Sequence, residues 1–223
     1  GIDFINISNI IMKSIKLAQT LITRLPYAKE YDVTEFLHSA INLESRALIS
    51  VAIPIHVDNP YGSIKFISDM ISSGLHLVAL ISWCRDRHIV VSASRRLTSQ
   101  WEPIAIFCKS PKFIISKDNI RKLKKGFEGK TNTFDEEQFL TCHGDRWTIA
   151  NDRRDRRFLP GMIVLNLGQL AGLKPGDAVL DPYGNPGILD TCTGVGWKHI
   201  DTGLSSAIRG SKKKSKTENV EYE

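Results

Sequence analysis

Leu173-Lys174-Pro175-Gly176-Asp177-Ala178-Val179-Leu180-Asp181-Pro182-Tyr183-Gly184-Asn185-Pro186-Gly187, followed after a short interval by Trp197-Lys198-His199-Ile200-Asp201, is the stretch on which the reading of this chain turns. Ala178 to Leu180 reads as a short buried strand with Asp181 at its acidic end. A Gly/Asn/Pro turn follows, then a helix-like segment and a second strand that closes on Asp201. In open α/β sheets ligands lie beyond the carboxyl ends of the strands. There a glycine turn admits the ligand close to the backbone, and a carboxylate on the next strand can accept from ribose hydroxyls. The stretch predicts an α/β fold with a nucleotide-type site.

Upstream segments agree with that fold class. Met162, Ile163, Leu165, Leu167 and Leu170, after Pro160, predict a helix that packs on the sheet and delivers the chain to Leu173. Residues 47–55 form a nearly continuous apolar run of strand length, as expected for a strand covered on both faces. Residues 75–83 and 104–108 read as further strands. Between them and the first run, Phe66, Ile67, Met70 and Ile71 form a helical stripe that ends at Gly74, and Asn59-Pro60-Tyr61-Gly62 is a turn signal. Asp32-Val33-Thr34-Glu35 resembles a capping box. At the start, residues 2–8 predict a strand. Residues 9–25 predict a helix, because Ile11, Ile15, Ala18, Ile22 and Leu25 recur at spacings of four and three before Pro26. Alternating strands and helices predict a mostly parallel sheet with helices on both faces.

With 223 residues, 42% of them hydrophobic, the chain is sized for one domain. No run approaches the roughly 18 uninterrupted apolar residues of a membrane span, and no basic leader precedes the first strand, so an intracellular protein of cytoplasm, nucleoid or nucleus is expected. Cys84, Cys108, Cys142 and Cys192 stand far apart, which predicts free thiols and no metal site. The six histidines show no ligand spacing and read as structural. The net charge of +6 favours a polyanionic partner. Within the single domain, residues 1–110 read as one half of the fold and 158–208 as the other. Residues 111–157 read as a basic insertion and 209–223 as a disordered basic tail.

Four ordered stretches carry a family resemblance. They are Pro175 to Tyr183; Trp197 to Asp201; Arg95-Arg96-Leu97-Thr98-Ser99-Gln100-Trp101-Glu102-Pro103-Ile104-Ala105-Ile106-Phe107-Cys108-Lys109; and Arg146-Trp147-Thr148-Ile149 with Phe158-Leu159-Pro160. In this order the chain resembles the permuted β-type DNA amino-methyltransferases, which methylate the exocyclic amine of cytosine (N4) or adenine (N6). The resemblance implies a Rossmann-like methyltransferase fold in permuted motif order, with residues 1–110 as the catalytic half and 158–208 as the cofactor half. It implies S-adenosylmethionine as cofactor, held around Asp181, Tyr183, Asn185, Gly187 and Asp201. It implies double-stranded DNA as partner. Arg85, Arg87, Arg95 and Arg96 would lie beside the cleft, and Lys122, Lys124 and Lys125 in the place of the target-recognition region.

Two departures set the functional expectation. Aligned on the predicted first strand, the catalytic Asp/Ser-Pro-Pro-Tyr becomes Ser8-Asn9-Ile10-Ile11. In the family the first side chain and the adjacent carbonyl accept from the target amine, and the aromatic ring stacks on a base pulled out of the duplex. Ile10 and Ile11 supply neither a rigid turn nor a ring. A misaimed acceptor costs several kcal/mol of barrier, on the order of thousands-fold in rate. The cofactor loop Asp-Pro-Phe-x-Gly-Ser-Gly-Thr becomes Asp181 to Ile188, where Asn185 adds a side chain, Pro186 lacks an N–H and Ile188 cannot cap the helix. The expectation is a degenerate methyltransferase acting as a DNA-binding protein, as a homodimer or beside an active methyltransferase. The alternatives are an active DNA methyltransferase and a dimerisation or inhibitory module that does not touch DNA.

Overall fold

The computed structural model describes residues 18–56, 58–84, 101–113, 115–121, 140–143, 145–149 and 158–204, with the side chains of residues 35 and 140–143 left aside. Eight strands form one sheet: β1 (Thr20–Arg24), β2 (Leu48–Ala52), β3 (His76–Cys84), β4 (Trp101–Cys108), β5 (Leu140–His143), β6 (Arg146–Ile149), β7 (Ala178–Asp181) and β8 (Lys198–Asp201). Their spatial order is β5-β6-β3-β4-β2-β1-β7-β8. Pairs β1·β2, β1·β7, β7·β8 and β3·β6 are parallel, and β2·β4, β3·β4 and β5·β6 are antiparallel. Residues 140–149, inside the stretch read as an insertion, thus add two strands to the sheet. Helices that accompany the strands include α1 (Val33–Ile41), α2 (Tyr61–Ser72), α3 (Gly161–Ala171) and α4 (Pro186–Val195).

The first element departs from the sequence expectation. Residues 20–24 are a strand, so the predicted helix over 9–25 fails in its last part; residues 2–17 lie outside the described residues. Every residue of β1 is buried, and it is hydrogen-bonded on both sides, to β2 and to β7. A strand covered on both faces shows no polar alternation, so Ile22 and Leu25 matched a helical spacing by coincidence. In three dimensions the alternation is present. Ile22 joins a core of Trp83, Trp147, Ile163, Leu167 and Ile188 on the α3 and α4 face, and Leu21 and Leu25 join Phe36, Phe66 and Met70 under α1 and α2.

Other elements follow their local signals. Asp32 caps α1 by accepting from the Thr34 N–H at 2.8 Å. Gly74, at φ 93°, lets the chain leave α2 for β3 in a conformation that disfavours side chains. Parallel pairing brings the carboxyl ends of β1, β2, β7 and β8 to one edge of the sheet. Cys84, at the end of β3, and Trp101, at the start of the antiparallel β4, lie on that same edge.

Candidate functional site

Asp181 ends β7 in the middle of this edge, fully buried. Its Oδ1 accepts from the Thr23 hydroxyl on β1 at 2.6 Å and from the Tyr183 N–H at 3.3 Å. Its Oδ2 accepts from the Asn185 N–H and lies 3.3 Å from Nε2 of His199 on β8. One carboxylate therefore ties together the ends of three strands and the loop into α4. A buried carboxylate is tolerated only when its acceptor sites are occupied, and here four protein groups occupy them. His199, read from sequence as having no acid-base partner, has one in Asp181.

The loop after β7 is closed by its own side chain. Asn185 is buried, and its Oδ1 accepts from the Gly187 N–H at 3.1 Å and from the Leu159 N–H at 3.2 Å. It is thus the N-cap of α4, with Pro186 following in the first turn, a Pro-after-cap arrangement that sequence alone carries. The expectation that this helix lacks a cap looked for one at Ile188 and is corrected to Asn185. Gly187 packs on the Leu159 carbonyl so closely that a β-carbon there would overlap it. Asp201, exposed at the end of β8, accepts from the Gly203 N–H at 2.7 Å and stands over Gly184, leaving no room there for a β-carbon.

Beside this loop, β1 ends in a buried ion pair. The Arg24 guanidinium meets Glu102 of β4 in two-pronged fashion, Nε to Oε2 at 3.1 Å and Nη2 to Oε1 at 2.8 Å, with the side chains 7% and 5% exposed. The chain then continues through Leu25, whose N–H donates to the Ala52 carbonyl, and Pro26 to Tyr27. Tyr27 is 57% exposed and stacks on His56, which follows β2, with ring centres 4.6 Å apart and planes at 28°.

The structure brings Asp181, Tyr183, Asn185, Gly187 and Asp201 to one place, as their proximity in sequence demanded. Ser8, Asn9, Ile10 and Ile11, and Arg85, Arg87, Arg95, Arg96, Lys122, Lys124 and Lys125, lie outside the described residues. The strand beside β7 is Thr20–Arg24. Sequence reasoning quoted Glu102 within a family-like stretch but paired neither Arg24 with Glu102 nor Tyr27 with His56. Pro26-Tyr27 was the available signal, and the helix assigned over residues 9–25 hid it. Cys84, Cys108 and Cys192 are free thiols, and no group of metal-ligating side chains occurs among the described residues. Burial, reinforced by the Asp181 charge, pushes the Cys192 thiol up to about 11.

The fold is a Rossmann-like methyltransferase fold, an α/β sheet with its candidate site beyond the carboxyl ends of the parallel strands. It is shared with solved DNA methyltransferase structures. The cytosine-N4-specific PvuII DNA methyltransferase superposes with a TM-score of 0.61 at 11% identity, covering 83% of this chain and 74% of that one. M1.HpyAVI, solved in complex with SAM, superposes with a TM-score of 0.58 at 14% identity, covering 93% and 95%. No protein-family profile matches the sequence, and no curated protein matches it. Among the described residues no helix is long and apolar enough to cross a membrane.

Proposed function

We propose that this chain is a methyltransferase-fold protein that holds double-stranded DNA without transferring a methyl group, alone, as a homodimer, or beside an active methyltransferase. The observation that carries the reading is Arg24. At the end of β1 the chain reads Arg24-Leu25-Pro26-Tyr27, and we take this, and not Ser8 to Ile11, as the counterpart of the Asp/Ser-Pro-Pro-Tyr of the family it resembles. Pro26 and Tyr27 match. The first position must accept from an amino group, and a guanidinium only donates. Two of its donors are already directed at Glu102. Leu25 also leaves the carbonyl without the first of the two prolines that would aim it.

The cofactor loop supports the same reading. Asn185 occupies the space between the loop and Leu159, where the resembled loop has glycine. Asp201 keeps an exposed carboxylate beside Gly184, suited to a ribose diol, so weakened S-adenosylmethionine binding is the expected state. DNA affinity would come from Arg85, Arg87, Arg95 and Arg96 and from Lys122, Lys124 and Lys125. The first group follows Cys84 and precedes Trp101, both on the site edge.

The test uses labelled S-adenosylmethionine with the purified chain and duplex DNA. No methyl incorporation is expected, whereas incorporation above a no-enzyme control would overturn the assignment and favour an active enzyme built on Pro26-Tyr27 and Asp201. Retention on DNA is expected to fall steeply with salt, since phosphate contacts release counterions. Absence of retention at low salt would leave a module that does not bind DNA.

A further inference from the structure

β3 is bonded on one side only over most of its length. β4 runs beside it from His76 to Cys84, whereas β6 meets it at Ser82 to Cys84, starting where the Ser82 N–H donates to the Asp145 carbonyl at 2.7 Å. Among the described residues, no backbone group of His76 to Ile81 is bonded on the side away from β4. This stretch is apolar and open. Leu77, Val78, Ala79, Leu80 and Ile81 follow one another, Leu77 is 39% and Leu80 41% exposed, and no Asp, Glu, Lys, Arg or Pro occurs from Met70 to Cys84. A strand margin of this kind presents outward N–H and C=O groups as a template for another strand, and chains that stay single guard such margins with charge, proline or a covering element. The face pattern of this margin is also symmetric. Leu77 and Leu80 stand opposite Phe107 and Ala105 and so share the face under α1 and α2. His76, Ala79 and Ile81 stand opposite Cys108, Ile106 and Ile104 and share the α3 and α4 face, with Val78 packed on the same core. The register slip between Leu77 and Ala79 produces this order. Residues equidistant from the midpoint of Val78 and Ala79 therefore face the same way: 78 with 79, 77 with 80, and 76 with 81.

We propose that the open margin of β3 pairs with the same margin of a second copy of this chain, antiparallel about a twofold axis between Val78 and Ala79, so that two sheets become one. The inference rests on the homodimeric form of the reading above and adds the surface that makes the dimer. A twofold contact uses one patch twice, so the patch must complement itself. The symmetric face order does so: Leu77 comes opposite Leu80 of the second copy, and Leu80 opposite its Leu77, on one face of the joined sheet. An arbitrary foreign strand has no reason to match that order. The charge pattern agrees, since each chain carries a net charge of +6 and the uncharged stretch from Met70 to Cys84 lets two such chains meet without like charges at the contact. The contact lies in the half of β3 away from Cys84 and the site edge.

The experiment is sedimentation velocity of the full chain without DNA, across a concentration series around the expected Kd. Wild type should pass from monomer to dimer with a Kd on the order of 10 μM, as for an interface below the standard size. Leu77→Lys with Leu80→Lys sets lysine against lysine and should weaken the dimer by about tenfold or more. Leu77→Lys with Leu80→Glu sets lysine against glutamate in this register and should dimerise within a few-fold of wild type. Both positions are exposed, so urea midpoints should stay at the wild-type value; where the lysine pair lowers its midpoint, Leu80→Lys alone takes its place. A wild type that stays monomeric at about a hundred times that Kd, or one that grows beyond a dimer, overturns the inference. Equal association of the lysine pair and wild type, or equal loss in both double variants, also overturns it. Salt-dependent retention of a monomeric wild type on DNA overturns the pairing and leaves the DNA-holding reading intact, whereas a dimer that follows the expected variant pattern without DNA retention supports the pairing and defeats that reading.

Discussion

Replacing Arg24 by methionine tests the energetic core of the site. The substitution keeps an unbranched side chain of similar reach while deleting the partner of a carboxylate that is only 5% exposed. Glu102 then sits in the core without the guanidinium that met both of its oxygens at 2.8 and 3.1 Å. Removing one member of a buried pair costs about 3–5 kcal/mol, chiefly because the remaining charge is desolvated and uncompensated. Glu102→Leu alone should cost a comparable amount by taking from Arg24 the carboxylate that its Nε and Nη2 meet. Arg24→Met with Glu102→Leu should recover most of the loss, since an apolar pair of similar volume needs no charge compensation. Urea unfolding of the four proteins closes a double-mutant cycle with a coupling energy of about 2 kcal/mol or more. Arg24→Met should also be weaker at pH 8 than at pH 5. A stranded carboxylate is driven to take up a proton in the folded state, so stability is lost as pH rises. A coupling energy under about 0.5 kcal/mol would refute the argument that this pair is closed and desolvated.

Three further outcomes follow from the same contacts. Gly168→Ala should lower stability by about 1–3 kcal/mol in urea unfolding, because its β-carbon would overlap the Trp197 ring packed on α3; an unchanged midpoint would mean that the ring moves aside without cost. Asn185→Gly should bind S-adenosylmethionine more tightly than wild type in calorimetry, since glycine is a tolerable N-cap and opens the space beside Leu159. Equal or smaller heat would show that Asn185 does not stand in the ligand's place. Stability should fall as pH rises through the range 9 to 11: Cys192, shifted up to about 11 by burial and then by Asp181, keeps its proton in the folded chain after the unfolded chain has released it. Cys192→Ala should flatten that slope. A further decline above pH 10 is expected from Tyr31, raised to about 12 first by burial.

Local chemistry made much of the fold legible. Asp32 as a cap, Gly74 as a helix exit, the all-apolar run around β2 and the Asp181 to Asp201 unit each rest on interactions among residues close in sequence. Those signals survive without knowledge of the rest of the chain. β1 was misread for the opposite reason. Its five buried residues carry no period, and only the neighbours β2 and β7, some 28 and 158 residues away along the hydrogen bonds of Thr20 and Thr23, make them a strand. With the segment read as a helix, Pro26 was taken only as its stop signal.

By itself, then, the sequence determined an α/β methyltransferase-like frame, its permuted order and the clustering of Asp181, Asn185, Gly187 and Asp201, because short-range turns and caps specify them. Tertiary structure alone decided that Arg24 faces Glu102, that Asp181 is enclosed by Thr23, Asn185 and His199, and that Tyr27 rests on His56. Each of these joins side chains that no local periodicity relates, and they meet only where parallel strands bring their carboxyl ends to one edge.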